Sequence, residues 1–256
     1  VGSQFADTIA NAVSGSVAYI NETLISNVPV VTLVTQRSTT THFHAWYAAQ
    51  GATAWTEITD VDFPPNQNGT ITAGIAGTTL TVTVSSTGVN LPIGAYLRSG
   101  SGGLTDCRIV SVGTAVAGVG TYTVSVSQTV AAGTTIYCGK PIMGEMVHMD
   151  GCGYVIDIDG LIYESDLNTL SAWTSINFIN AQSMPDGGRG LARLKSYIYA
   201  FGAGTCQLFQ NSGVSVGARI TPVQGGVVNI GLINAGSYPT CKTIGDFVYF
   251  AGVDAA

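Results

Sequence analysis

Charged side chains are scarce in this sequence, and their scarcity excludes several kinds of protein. Only 9% of its 256 residues are charged, against about 25% in an average soluble domain. The 9 lysines and arginines are outnumbered by 15 acidic residues, so there are no basic clusters that would bind nucleic-acid phosphates. A neutral or acidic channel through which DNA merely passes remains compatible with this balance. The low charge leaves two explanations open: a surface largely covered by other subunits, or a rigid extracellular β protein.

Long apolar runs are also lacking. No run approaches the roughly 18 apolar residues of a membrane span, and no signal peptide is recognisable at the start. The sequence begins at Val1 without a methionine and stops at Ala256, directly after a strand-like pattern. We therefore expect it to be part of a longer protein.

The cysteines show no paired spacing. The sequence has five, an odd number: Cys107, Cys138, Cys152, Cys206 and Cys241. None are two residues apart, as in zinc or redox motifs. Most lie in apolar strand patterns, where a free cysteine behaves as a small buried hydrophobe. We expect reduced, structural thiols, with a Cys107–Cys138 disulfide as the alternative.

What the sequence has in abundance predicts an all-β fold. Its 33 glycines, together with plentiful Thr and Val, indicate many short strands and turns. Between Gly144 and Gly252 aromatic and β-branched runs recur, and we align Tyr154, Tyr197 and Phe247, which lie 43 and 50 residues apart. A period of about 40–50 residues with several strands per unit is typical of β-propeller blades.

A second repeat connects the N-terminal region to this stretch. Ala54-Trp-Thr-Glu-Ile58 is matched by Ala172-Trp-Thr-Ser-Ile176, and a tryptophan at one fixed point of each blade would wedge neighbouring blades together. We therefore assign residues 1–65 and 140–256 to one β-propeller, of which this chain contains a part.

Residues 66–139 differ in texture, because their only charged residues are Arg98, Asp106 and Arg108. We predict a small β-sandwich or barrel inserted into the propeller, entered after Pro64-Pro65 and left at Lys140-Pro141. Insertions are tolerated at exposed loop tips, and we expect one here. The predicted strands are residues 70–75, 78–85, 95–97, 107–112, 120–126 and 134–138.

Two patterns suggest metal ligands but have simpler interpretations. His42 and His44 share one face of a strand; without a Cys, Asp or Glu nearby in sequence, an ordinary polar strand face is favoured over a metal site. The run from Asp157 to Gly160 looks like the start of a calcium loop but lacks the later acidic ligands. We predict a hairpin turn there, and we expect no cofactor or metal.

Three runs towards the C-terminus carry a family resemblance. They are Met184 to Gly213 (MPDGGRGLARLKSYIYAFGAGTCQLFQNSG), Pro222 to Gly231 (PVQGGVVNIG) and Ile244 to Gly252 (IGDFVYFAG). Together they resemble the tail nozzle proteins of short-tailed bacteriophages, also called packaged-DNA stabilisation proteins. The resemblance implies a structural, non-enzymatic virion protein that closes the DNA exit channel.

The resemblance also implies partners. Members of this family form a hexameric ring of β-propellers below the portal and adaptor, and they carry tail appendages. The expected partners are therefore identical subunits in a homo-hexamer, a head-to-tail adaptor or portal ring, and a tail fibre or tailspike. Packaged DNA would pass through without sequence-specific contact.

Four residues are candidates for contacts between subunits of such a ring. Arg189 and Arg193 are two of only nine basic residues, so each is expected to have a defined partner, either a local carboxylate (Asp186 or Asp166) or a neighbouring subunit. Gln207 and Phe209 alternate with residues of mixed polarity along one strand, which suggests a strand near an interface.

An alternative function is a carbohydrate-binding or glycan-cleaving β-propeller in which residues 66–139 form an adhesion module. A glycan-cleaving site of the sialidase type would need an arginine cluster with tyrosine and acidic partners. The six arginines are scattered over two dissimilar regions, so the structural role is favoured.

Overall fold

A computed structural model of the chain describes residues 17–36, 43–99, 104–105, 107–181, 183–184, 186–235, 238–239 and 241–254. The candidate His42 lies outside them. Within the described ranges the only helical element is a 3-10 turn, Pro64–Asn66, so the predicted all-β fold is confirmed. No helix in those ranges is long and apolar enough to cross a membrane.

Sheet 1 is an antiparallel meander in which each strand pairs with the next. Its turn at Ser26 and Asn27 has positive φ at both residues, 50° and 64°, as a type I′ hairpin requires. Its strands are β1 (Val17–Ile25), β2 (Val28–Gln36), β3 (Phe43–Ala49) and β4 (Thr56–Glu57).

The next four strands are β5 (Thr70–Ser85), β6 (Tyr96–Ser99), β7 (Cys107–Val112) and β8 (Gly120–Gly139). The prediction for β7 is confirmed at both ends, but β5 and β8 each merge two predicted strands. The register of β5 with β8 shifts once at Gly74 and again between Gly77 and Thr79. These glycines mark bulges, which bend a strand without ending it.

Strands β5 to β8 form a closed barrel. The first half of β8 pairs with β7 and the end of β5, its second half pairs with β6 and the start of β5, and β6 pairs with β7. The barrel has its own core, which includes the buried side chains of Leu80, Leu97, Tyr122 and Ile136.

Two further antiparallel sheets follow, each again of four strands in sequence order. Sheet 2 contains β9 (Val147–Met149), β10 (Cys152–Ile156), β11 (Leu161–Ser165) and β12 (Trp173–Asn180). Sheet 3 contains β13 (Gly190–Leu194), β14 (Tyr197–Phe201), β15 (Cys206–Asn211) and β16 (Ile220–Val228).

The remaining strands begin another unit. They are β17 (Ile230–Leu232), β18 (Asn234–Ala235), β19 (Tyr238–Pro239), β20 (Cys241–Ile244), β21 (Phe247–Phe250) and β22 (Gly252–Asp254). Strands β20 and β21 form a hairpin, while β22 pairs back onto β17.

The repeat predicted from aromatic residues exists, but its alignment was wrong by two residues. Tyr154 pairs with Val147, Tyr199 with Ala192 and Tyr249 with Lys242. Each of these tyrosines is the third residue of the second strand in its unit, so the counterpart of Tyr154 is Tyr199 and not Tyr197. A shift of two residues keeps a side chain on the same strand face, and the pattern alone therefore does not reveal it.

The Ala-Trp-Thr echo also marks equivalent positions. Trp173 is the first residue of β12 and Trp55 directly precedes β4, so each opens the fourth strand of its sheet. Trp173 is 4% exposed, as expected for a wedge, whereas Trp55 is only partly buried.

One hydrophobic core joins sheets 1, 2 and 3. It contains Val34 from sheet 1, Val155 from sheet 2 and Phe209 from sheet 3. Sheet 3 packs on its other face against the β20–β21 hairpin, through a smaller cluster that includes Phe201 and Val248. The sheets are therefore stacked in chain order, as blades are.

Candidate assembly surfaces and the axial cavity

A polar cavity of about 210 Å³ lies where the first strands of successive sheets meet. It is lined by Asn21, Glu22, Glu145, His148, Arg193, Lys242 and Thr243. These residues belong to β1, the approach to β9, β9, β13 and β20. In a propeller the sheets radiate from a central channel, so we call this space the axial cavity.

Three of the units place a residue at an equivalent position in the wall of this cavity. His148, Arg193 and Thr243 are each the penultimate residue of the first strand in their unit. The Thr243 hydroxyl donates to the backbone oxygen of Arg193 at 2.7 Å, which connects β20 to β13. The axial wall thus repeats with the period of the sheets.

An ion pair in the cavity wall ties three units together. The Lys242 ammonium contacts the Glu145 carboxylate and donates to the backbone oxygen of Ile20 at 3.3 Å. Glu145 is 6% exposed, and burial raises its pKa although the charge of Lys242 opposes the shift. The two residues are 97 apart in the chain, and no sequence pattern connects them.

His148 is buried in the same wall. Burial, aided by the positive charge of Arg193, lowers its pKa to about 3, so its ring is neutral near pH 7. Neither ring nitrogen has a hydrogen-bond partner among the described residues.

Arg193, one of the two candidate arginines, is exposed at the cavity, and its Nε donates to the backbone oxygen of Lys195 at 2.9 Å. Arg189 is partly buried. Asp186, one of the two carboxylates considered as partners, accepts backbone hydrogen bonds from Gly204 and Thr205 at 2.8 Å each.

Gln207 and Phe209, the other two candidates, lie in β15 as predicted. Phe209 is fully buried in the core shared by the three sheets, and Gln207 is 8% exposed. Phe209 therefore contacts its own chain, and of the four candidates Arg193 is the most accessible to a neighbour. The interface role of the set stays a prediction.

An apolar surface lies beside sheet 3 and the β20–β21 hairpin. A cavity of about 290 Å³ opens there, with Tyr199, Phe201, Leu208, Phe247 and Phe250 in its wall. Phe247 is 65% exposed, and several of its apolar neighbours are also exposed, to a smaller extent. We call these residues the sheet 3 apolar surface; contiguous exposed apolar groups usually mark a contact with another protein.

A buried charge joins the barrel to sheet 1. Arg98 of β6 is 3% exposed; it donates to Glu57 Oε1 at 2.9 Å and to Asn66 Oδ1 at 2.7 Å. Its guanidinium lies 4.5 Å from the centre of the Tyr137 ring. His44 Nδ1 is 2.7 Å from the same Glu57 oxygen. We call these five residues the Arg98 cluster.

The Arg98 cluster decides the reading of His44. His44 lies in a network of hydrogen bonds and ion pairs with Glu57 and Arg98, so it is not part of an ordinary polar strand face. The described residues contain no group of three or more metal-ligating side chains.

The connection between sheet 1 and the barrel differs from the expected exposed loop tip. Pro64, Pro65 and Asn66 are buried. A Cβ atom on Gly139, where the chain leaves the barrel, would lie 2.3 Å from the Pro64 oxygen. The two crossing segments are packed against each other, so the expectation of an exposed loop was wrong.

Two smaller predictions are confirmed. Asp157 is fully buried and its Oδ1 accepts the backbone N–H groups of Asp159 and Leu161 at 2.9 Å each, which closes the predicted hairpin turn. All five cysteines are free, which excludes the alternative disulfide between Cys107 and Cys138.

Stacked four-stranded sheets around a polar axis, with buried polar groups that join sheets to one another, define a β-propeller scaffold. The family model described as bacteriophage P22 Gp10, beta-propeller, matches residues 106–255. The match covers more than half of the chain, and the chain belongs to this family. It is therefore a structural protein of the phage tail, located in the virion, and the predicted family, all-β propeller fold and location are confirmed.

The matched region begins inside the barrel, at the start of β7, and runs through sheets 2 and 3 to the last described strand. Sheet 1 lies before it. A comparison with individually curated proteins returns no match.

Proposed function

We propose that the chain is a subunit of a tail nozzle, which closes the DNA exit channel, retains packaged DNA and guides its ejection. The observation that supports this role is the family match over residues 106–255. A structural role of this kind requires no catalytic residues, and the polar clusters described above all act between parts of the scaffold.

The proposed assembly is a homo-hexamer that binds a head-to-tail adaptor or portal ring above and a tail fibre or tailspike below. The sheet 3 apolar surface is a suitable contact for a neighbouring protein because Phe247 and Phe250 are 65% and 40% exposed in the single chain. The net charge of −6 suits a channel wall, since acidic surfaces do not retain DNA phosphates.

Electron microscopy of the chain mixed with the adaptor ring tests this proposal. We expect six-fold rings stacked on the adaptor. Phe247→Asp should reduce ring formation at least tenfold, because it places a charge on the sheet 3 apolar surface. Val116→Asp is the matched control: Val116 is 75% exposed on the barrel, and its change should leave rings intact. A chain that stays monomeric and does not bind the adaptor would contradict the nozzle role.

A further inference from the structure

The way in which the barrel is joined to the rest of the chain suggests that its orientation is fixed. Two chain segments cross between the barrel and the sheets, and they lie side by side: Asn68 N–H donates to Cys138 O at 2.9 Å, and Lys140 N–H to Pro64 O at 2.9 Å. Two adjacent crossing segments can act as a hinge, which by itself leaves rotation about one axis free.

The Arg98 cluster restricts that rotation. Arg98 projects from the barrel, while His44 and Glu57 belong to β3 and β4 of sheet 1 and Asn66 belongs to the connecting turn. One buried guanidinium therefore holds sheet 1 and the connecting turn at once, in the fixed directions of its N–H groups.

The barrel has open space beside sheet 2. A cleft of about 430 Å³ separates it from sheet 2, with Ile93 and Arg108 on the barrel side and Lys140 and Asp159 on the other. Space for movement therefore exists between the barrel and sheet 2.

We propose that Arg98 fixes the barrel to sheet 1 at one angle, and that loss of the negative charge on Glu57 releases the barrel to move into the cleft beside sheet 2. The inference does not rest on the nozzle role. The barrel would then have two states: fixed in orientation to sheet 1 at neutral pH and mobile in acid.

The sign of the pH dependence follows from the groups that face Glu57. Burial alone would raise the pKa of Glu57, but the hydrogen bond from His44 and the charge of Arg98 outweigh it and lower the pKa. A carboxylate with a lowered pKa supports the folded contact above the usual carboxyl range and loses it as the pH falls through the lowered value. His44 Nδ1 also faces the Arg98 guanidinium, and Arg98 keeps its positive charge in acid.

Residual dipolar couplings measured by NMR on the whole chain test the proposal. At pH 7 we expect couplings from the barrel and from sheets 1 to 3 to fit one alignment tensor. In Arg98→Met, the barrel should need its own tensor with at least a twofold lower order. Arg108→Met removes an exposed arginine from the neighbouring strand of the barrel and should behave as wild type.

Two further measurements keep the test decisive should Arg98→Met fail to fold. Glu57→Gln retains the shape of the side chain but not its charge, and it should give two tensors at pH 7. The wild-type protein should change from one tensor to two when acidification protonates Glu57, which the NMR signal of its carboxyl carbon reports. A single tensor under all these conditions, or two in the wild-type protein at pH 7, would overturn the proposal.

Discussion

The indole ring of Trp173 packs against the phenyl ring of Phe63, with ring centroids 4.9 Å apart. Phe63 belongs to the connection that follows sheet 1, and Trp173 opens the fourth strand of sheet 2. Phe63 is fully buried and Trp173 is 4% exposed. This one contact therefore attaches the segment between sheet 1 and the barrel to sheet 2.

Removal of this ring is expected to be costly. Trp173→Ala leaves a large cavity in the shared core, and we expect a loss of about 3–5 kcal/mol in the free energy of unfolding. Urea denaturation measures it. The chain offers a matched control in Trp55→Ala, which removes the same side chain at the equivalent point of sheet 1. Because Trp55 is only partly buried, its loss should cost about 1 kcal/mol; equal losses would contradict the wedge interpretation.

Removal of the Lys242 ammonium leaves the buried carboxylate of Glu145 without its compensating charge. Lys242→Met should lower the free energy of unfolding at pH 7 by about 1–3 kcal/mol. Lys195→Met, which breaks a pair between side chains that are 71% and 76% exposed, should cost less than about 0.5 kcal/mol.

The deficit of Lys242→Met should also depend on pH in a defined direction. A carboxyl group whose pKa is raised in the folded protein destabilises it while ionised, and the stability returns as the pH falls through the raised value. The difference between the variant and the wild-type protein should therefore shrink between pH 7 and pH 4. A difference that grows on acidification would show that Lys242 acts through packing instead of charge.

His148 provides a third prediction. Its pKa is about 3 in the folded protein and about 6.5 in an unfolded chain. Between these values the unfolded state binds a proton that the folded state does not, so stability falls with decreasing pH, by at most about 1.4 kcal/mol per pH unit.

His148→Asn should remove this part of the acid dependence, whatever its effect on stability at pH 7. Urea denaturation at pH 4, 5, 6 and 7 measures the slope, and imidazole NMR signals of the wild-type protein measure the titration directly. An imidazole at position 148 that titrates near pH 6.5 in the folded chain would contradict the buried, neutral assignment.

Local alternation predicted the strands better than it predicted where they end. The bounds of β7 followed from its regular pattern, whereas Gly77 separated two predicted strands, 70–75 and 78–85, that in fact form one strand with bulges. A glycine reads alike in sequence whether it supports a turn or a bulge. Only the register with β8 separates the two.

The contacts between units were harder to predict, for a different reason. Arg98 and its partners Glu57 and Asn66 are separated by 41 and 32 residues, and no periodic pattern connects them. One signal was present: Arg98 follows Tyr96 and Leu97 in an almost uncharged region, and a lone arginine in an apolar strand needs a buried partner. Lys242 and Glu145 gave no comparable signal.

The cysteines allow the fold itself to be probed. Burial raises the pKa of Cys152 to about 11 and those of Cys206 and Cys241 to about 12, and it raises that of Cys138 still further. Since the thiolate is the reactive form, the native chain should react with Ellman's reagent at pH 8 at a rate at least a hundredfold below that of a free thiol. In denaturant all five cysteines should react.

Ser127→Cys adds an exposed thiol on the barrel and should give one fast equivalent in the native state. A fast equivalent in the unmodified chain would mean that one of its strands opens readily, and peptide mapping of the labelled cysteine would identify which unit of the scaffold it is.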